Sequence, residues 1–340
     1  MLRPYTTGYF GLRGAKRRCG RTRAGGRAQP AATGRHCPVK WETGQVNASG
    51  YGRAVSGALL TKALKRLRQD SGQQQKQVAN ALEWQVSKLI RIENGGARIS
   101  QADLGALLRY YELADQEQAG HLKAWARDAR LQCWWDRFHI QDKAFECYVG
   151  YESGAASVRM AQALLIPGIL QTEDYARIMT PAHAAPPEVD SIVQLRLARQ
   201  REILTRKPEQ TYILDEAVLR RPVGNAMPGQ LHHLVELARQ PEITIRIIPF
   251  EAGPHFGLRG PFVLLGFDVP LDDMLFLESA RHGDLIVSQE NIYSGESVPG
   301  IDYAAETIAR YEEAYESLSQ IALEPAESAN LIQAIASATS

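Results

Sequence analysis

Between Leu59 and Tyr111 the apolar positions recur at helical spacing in short runs, each closed by turn-forming residues. Leu60, Leu64 and Leu67 fall one turn apart and make one apolar stripe, which predicts a first helix ending near Ser71-Gly72. Gly72 suits the left-handed position after a helix C-terminus because it has no Cβ to clash. Val78, Ala79 and Leu82 mark a second helix over about 74–82, and Leu89 and Ile92 a third over about 85–93, closed by Asn94-Gly95-Gly96. Ser100 is placed to cap a fourth helix whose buried face is Leu104, Leu107 and Leu108. A longer helix over about 115–130 then runs up to an aromatic cluster of Trp134, Trp135 and Phe138.

Past that cluster the pattern changes, which places a domain junction there. Helical stretches predicted over about 152–163, 172–180, 188–206 and 228–240 alternate with short runs that read as strands. The clearest strands are Tyr212–Leu214, Ile243–Ile248, Phe262–Phe267 and Met274–Leu277, bounded by Pro and Gly. A helix over about 302–322 carries Ile308, Tyr311, Tyr315 and Leu318 on one face, and a shorter one over 328–337 follows; no internal repeat is present. The expected fold class is α+β: an all-α helix-turn-helix unit over 55–130, then a mixed α+β domain over 134–338.

Residues 1–50 are rich in Gly, Arg, Ala and Pro and show neither strand nor helix period. Such a segment cannot bury enough apolar surface to offset the entropy of ordering, so a disordered basic extension is expected. It reads either as an arm adding non-specific affinity for phosphates or as an overextended reading frame with translation starting near Val46. The second is favoured, because Val46–Gly50 looks like an ordinary beginning.

Composition narrows the class. Of 340 residues 44% are hydrophobic and 23% charged, ordinary for a soluble globular chain. No run approaches the roughly 18 apolar residues of a membrane span, and the basic N-terminus has no apolar core behind it, so a cytoplasmic protein without membrane contact is expected. Cys19, Cys37, Cys133 and Cys147 have no CxxC spacing, and Cys133, His139 and Cys147 do not match a zinc-finger pattern; free thiols are expected, with no metal and no cofactor. The net charge of +1 conceals an asymmetry, since residues 1–50 carry ten Lys or Arg against the single acid Glu42. Residues 59–100 hold eight basic side chains against Asp70, Glu83 and Glu93 inside an otherwise acidic remainder. A basic excess on one small helical unit is the footprint of phosphate binding.

Two short helices joined by a tight turn lay the second across the DNA major groove, where its first turns reach base edges. The third helix presents Val86, Ser87, Lys88 and Arg91 for that task. Arg and Lys pair with guanine O6 and N7, Val meets a thymine methyl, and Ser donates or accepts. Leu89 and Ile92 hold the helix to the core. Gln74, Gln75 and Lys76 at the start of the second helix, with Arg98 beyond the third, are assigned to phosphates. One recognition helix covers too few base pairs to specify a genomic site, so a homodimer on a pseudo-palindromic double-stranded operator is expected.

The run from Arg68 to Gly95, RQDSGQQQKQVANALEWQVSKLIRIENG, resembles the helix-turn-helix of the xenobiotic-response-element, or phage-repressor, family. The resemblance implies a structural salt bridge between Arg68 and Glu93. This sequence departs from the family at Gln73, where an apolar residue is usual, and at Glu83, where the turn usually has Gly. A non-Gly residue there costs on the order of 1 kcal/mol.

The second domain offers less chemistry. Asp215 and Glu216 are adjacent and would point to opposite faces of a strand, so they cannot form an acid–base pair. His255, in a Gly-Pro-His-Phe-Gly loop beside Glu251, is either a mobile titrating group or a loop-shaping one. Arg196, Arg199 and Arg201 could bind an anion, form a solvated face, or pair with Asp215 and Glu216. Pro167-Gly168 turns into a helix capped by Thr172, with Glu173 and Asp174 in its first turn, and Tyr175 faces the core or a pocket. No Gly-rich phosphate loop, Ser–Lys pair or metal triad appears, so an enzyme is not expected.

The runs IPGILQTEDYAR, LRLARQREIL, YILDEAVLRRPVG, ITIRIIPFEAGPHFGLRGPF and FLES, in that order, are similar to the C-terminal domain of WhiJ-type and Scr-type antitoxin-like actinobacterial regulators. That resemblance implies modulation by a small, adjacently encoded protein. Candidate partner or ligand residues are Gln171, Thr172, Tyr175, Arg199, Glu216 and His255, on a surface between the 167–175 turn and the 251–260 loop. The expected function is a DNA-binding repressor; an antitoxin that autoregulates and a small-molecule-gated transcription factor are the alternatives.

Overall fold

In the computed structural model the described residues are 51–182, 184–278, 283–287, 290–291 and 303–339. The expectations for residues 1–50, including Cys19 and Cys37, lie outside them. Five helices make the head: α1 (Gly52–Asp70), α2 (Gln75–Ala81), α3 (Val86–Glu93), α4 (Gln101–Tyr110) and α5 (Gln116–Asp128). Of the residues the periodicity selected, Leu60, Leu64, Val78, Leu89, Leu104 and Leu107 are buried, while Leu67 and Leu82 are half-buried. Ser100 Oγ accepts from Asp103 N at 2.9 Å and Asp115 Oδ1 from Glu117 N and Gln118 N, which satisfies first-turn donors of α4 and α5.

The body begins with a 3-10 turn at Trp134–Phe138 and α6 (Lys143–Glu152). Two crossovers follow: β1 (Ser157–Gln162), α7 (Glu173–Met179) and α8 (Pro186–Arg206) lead to β2 (Glu209–Asp215), then α9 (Ala217–Arg220) and α10 (Met227–Leu237) lead to β3 (Ile243–Ile248). These three strands are parallel, and β4 (Phe262–Gly266) and β5 (Met274–Glu278) extend the sheet antiparallel from β1. β6 (Gly283–Val287) and β7 (Glu290–Asn291) continue it, giving the order β3-β2-β1-β4-β5-β6-β7. The fold is thus α+β, a helical head followed by a mixed sheet with helices.

One sheet face, with Ala161, Ile213, Phe262, Leu264 and Leu275, is covered by α11 (Tyr303–Ile321) through Ile308, Tyr315 and Leu318. The edge strand β3 is closed by the chain that enters α12 (Pro325–Thr339): Leu323 N donates to Ile247 O at 2.8 Å and Ile247 N donates to Ser328 Oγ at 3.0 Å. Covering that edge removes a template for pairing with another chain.

The helix expected over 152–163 is corrected. Residue 152 ends α6, and β1 lies at the centre of the sheet between β2 and β4. Its Ala, Met and Gln content favours helix locally, but pairing on both edges and burial on both faces decide for strand.

The described residues form one compact unit, in which α1 serves head and body together. Arg53 on α1 pairs with both carboxylate oxygens of Asp136, at 2.7 and 2.8 Å. Gly154 is required by this packing, because a Cβ there would lie 2.4 Å from both Tyr51 O and Val55 Cγ2. Further along α1, Lys62 Nζ reaches Asp272 at 3.3 Å.

Candidate nucleic-acid interface

The turn between α2 and α3 is a six-residue hydrogen-bonded cap. Trp84 N donates to Ala79 O at 2.8 Å and Glu83 N to Asn80 O at 3.2 Å, with Glu83 at φ 54°. The end of α1 closes in the same way, with Gln73 N on Arg68 O at 3.2 Å and Gly72 at φ 66°. Glu83 therefore occupies a left-handed position without being glycine. The other departure, Gln73, is accommodated because Tyr110 Oη donates to its side-chain oxygen at 3.3 Å.

Glu93 holds the helices in register from a site only 1% exposed. Arg68 Nε donates to its Oε1 at 2.7 Å, and Gln75 Nε2 to its Oε2 at 2.7 Å. Arg68 Nη1 also donates to Gln73 O at 3.2 Å. One buried carboxylate thus ties α1, α2 and α3 together, including the pair the resemblance implied. Gln75, expected at a phosphate, gives one amide hydrogen bond to Glu93.

On α3, Leu89 and Ile92 face inward, while Gln85, Ser87, Ile90 and Arg91 are exposed and Val86 is half-buried. Gln74, Lys76 and Arg98 are also exposed. Among the described residues the side chains of Lys76, Arg91 and Arg98 form no hydrogen bond or ion pair, although the charge of Arg98 is felt by Asp136. Lys88 is different: its Nζ sits 2.7 Å from Asp103 Oδ1 and 4.1 Å from the centre of the Trp84 ring. Lys88, expected at a base edge, is paired with Asp103 in the structure. Ile90 is not among the residues the sequence singled out; its one-turn spacing from Val86 was the available signal.

The six candidates in the body all make contacts within the fold. Gln171 is buried, donating to Ile166 O at 2.7 Å and accepting from Arg196 Nη1 at 2.6 Å. Thr172 Oγ1 accepts from Tyr175 N at 3.3 Å as a helix cap, and Thr172 N donates to Gln230 Oε1 at 2.7 Å. Tyr175 is 1% exposed, its hydroxyl accepting from Ile166 N at 3.4 Å, so it belongs to the core. Arg199 pairs with Glu152 and donates to Tyr148 Oη at 2.7 Å, not with Asp215 or Glu216. Burial works against its charge, but the Glu152 carboxylate outweighs that and raises its pKa. Glu216 binds Arg220 and accepts from Phe250 N at 3.0 Å. His255 is held at 2.9 Å from Asp215 with its side chain 4% exposed, which excludes a mobile residue beside Glu251. Asp215 and Glu216 do point to different partners, and no acid–base pair forms between them.

Among the described residues no helix is long and apolar enough to cross a membrane, and no group of three His, Cys, Asp or Glu could hold a metal. Among the described residues Cys133 and Cys147 are not joined in a disulfide. A helix-turn-helix with a basic, exposed second helix defines a DNA-binding regulator, and residues 59–122 match the family described as a helix-turn-helix domain. The chain belongs to the family described as a domain of unknown function (DUF5753), which matches residues 145–334. No curated protein and no solved structure matches the chain.

Proposed function

We propose that the protein is a cytoplasmic repressor that binds a pseudo-palindromic operator as a homodimer and receives its signal through the body. The observation that carries this reading is the exposed row Ser87, Ile90 and Arg91 on a helix fixed by the Arg68–Glu93–Gln75 cluster, flanked by the open cations Lys76 and Arg98. Base contacts fall to Val86, Ser87, Ile90 and Arg91, with Lys88 joining once it leaves Asp103. Gln74, Lys76 and Arg98 position the phosphate backbone.

The likeness of the body to WhiJ-type and Scr-type regulators supports modulation by a small, adjacently encoded protein. The exposed apolar side chains Phe250 and Leu258 on the segment after β3 offer such a partner a surface. An antitoxin role would use the same contact in the reverse direction, with DNA binding as autoregulation. Selection of bound duplexes from a random library, with the stoichiometry of the complex measured by sedimentation, tests the main reading. A palindromic consensus bound by two chains supports it, and enrichment of no motif overturns it.

A further inference from the structure

The junction between head and body holds a cleft of about 670 Å³, within the size range of small-molecule sites. One wall is α1 and the Asn94–Ile99 segment that closes the recognition helix; the other is α6 and the 271–274 segment of the body. Its apolar lining includes Leu60, Leu64, Ile92, Trp135 and Met274. Its charged lining consists of Arg53, Lys62, Lys65, Arg98 and Lys143 with Glu146 and Asp272. Arg53 is committed to Asp136, Lys62 to Asp272 and Lys143 to Glu146, whereas Arg98 has no ion pair among the described residues.

We propose that this cleft binds a small organic anion, an apolar or aromatic body bearing a carboxylate, sulfonate or phosphate, and that binding lowers the affinity for DNA. The inference rests on the reading of the head as a DNA-binding unit. A lining that combines apolar side chains with cations rewards burial of a ring and pairing of one negative group, and a neutral ligand satisfies only the first. The coupling follows from position. Arg98 lines the cleft and is also assigned to phosphate, so an anion in the cleft competes with the DNA backbone for the same guanidinium. The ligand would also rest against Asn94–Ile99, directly after the recognition helix, while its other side touches the body. By linkage, operator DNA then weakens ligand binding by the same factor.

The test uses the full chain and two fluorescent probes of equal shape, 8-anilino-1-naphthalenesulfonate and its uncharged counterpart N-phenyl-1-naphthylamine. The anion is expected to bind at least tenfold more tightly. Lys62→Ala with Arg98→Ala is expected to abolish that difference while changing the neutral probe less than twofold, with the circular dichroism spectrum unchanged. Ala58→Phe, which projects a ring into the cleft, is expected to weaken both probes. Equal affinity for the two probes overturns the proposal, as does sulfonate binding that neither variant alters. Adding the anion to the DNA complex is expected to release DNA at least fivefold more readily; no release overturns the coupling. Because the titrations need no DNA, failure of the head to bind DNA would be recognised separately from failure of the cleft.

Discussion

Lys88 of the recognition helix and Asp103 of the next helix form a 2.7 Å ion pair, with the Lys88 ammonium also 4.1 Å above the Trp84 ring. The pair places a carboxylate beside a surface otherwise suited to DNA. Burial pushes the Asp103 carboxyl upward, but hydrogen bonds from Lys88 and Ser100 outweigh it and hold the pKa below the usual range. The Asp103 carboxyl therefore stays ionised throughout the neutral range. Asp103→Asn is expected to free Lys88, raising affinity for both operator and random duplex several-fold. The slope of log affinity against log salt should steepen by about one unit if Lys88 then takes a phosphate. Anisotropy titrations at several salt concentrations read both quantities, and an unchanged affinity would place Lys88 away from DNA.

Glu93 is the most consequential acid in the head, since Arg68 and Gln75 both depend on it. Glu93→Ala leaves Arg68 buried without a counter-charge and is expected to cost about 3 kcal/mol of stability. Replacing both charges with apolar groups, Arg68→Met with Glu93→Leu, should recover most of that loss, because the unpaired charge disappears. Urea denaturation measures all three. A Glu93→Ala protein as stable as the parent would contradict the assigned role.

These two relations differ in how far the sequence disclosed them. The Arg68–Glu93 pair came from resemblance to a family, and the exposed and buried positions of α3 from its period. The Lys88–Asp103 pair joins two helices across a turn whose geometry no local pattern states. In the body, β3, β4 and β5 were legible because β-branched and aromatic residues are bounded by Pro and Gly. β1 was not, because its residues favour helix and only pairing with β2 and β4 makes it a strand. For the same reason the partner of Arg199 could not be read: Glu152 is 47 positions away, and their meeting depends on how α6 and α8 pack. Arg199, Tyr175 and His255 looked available because polar and aromatic side chains in a sequence carry no sign of being already paired.

Glu83 stands at φ 54° in the turn between α2 and α3, where an L side chain is strained. Glu83→Gly removes that strain, partly offset by the greater freedom of glycine in the unfolded chain, so a net gain of about 0.5 kcal/mol is expected. DNA affinity should not change, since the backbone keeps its path. Thermal unfolding monitored by circular dichroism checks the sign, and a destabilised variant would mean that the Glu83 side chain contributes more than its backbone costs.

Asp136 anchors α1 to the aromatic turn at the start of the body. Burial raises its pKa, but the Cys133 N–H and Arg53 outweigh this, so the carboxyl titrates below its usual range. A depressed folded-state pKa stabilises the fold above the unfolded value of about 4, and that contribution is lost as pH falls through the folded-state value. The melting temperature of Asp136→Asn is therefore expected to lie below that of the parent near neutral pH and to converge with it in acid. Between pH 6 and 8 neither protein should change through this group. Two parallel curves down to pH 3 would show that the Arg53 pair contributes nothing through its charge.

Arg91 and Lys76 lie on different helices, and the two assignments predict different failures. Arg91, one turn into the recognition helix, is exposed and without an ion pair among the described residues, so it is free to meet a guanine edge. Arg91→Ala is expected to cost about 1–3 kcal/mol on the operator and to relax specificity at one base pair, with little effect on random duplex. Lys76, near the start of α2, has only its charge to offer. Lys76→Ala should weaken operator and random DNA alike and reduce the salt slope by about one unit, leaving the preferred sequence intact. Measuring both variants against operator, single-substitution operators and random duplex separates the roles. Equal losses on operator and random DNA for Arg91→Ala would assign it to the backbone and shift the reading of sequence to Val86, Ser87 and Ile90.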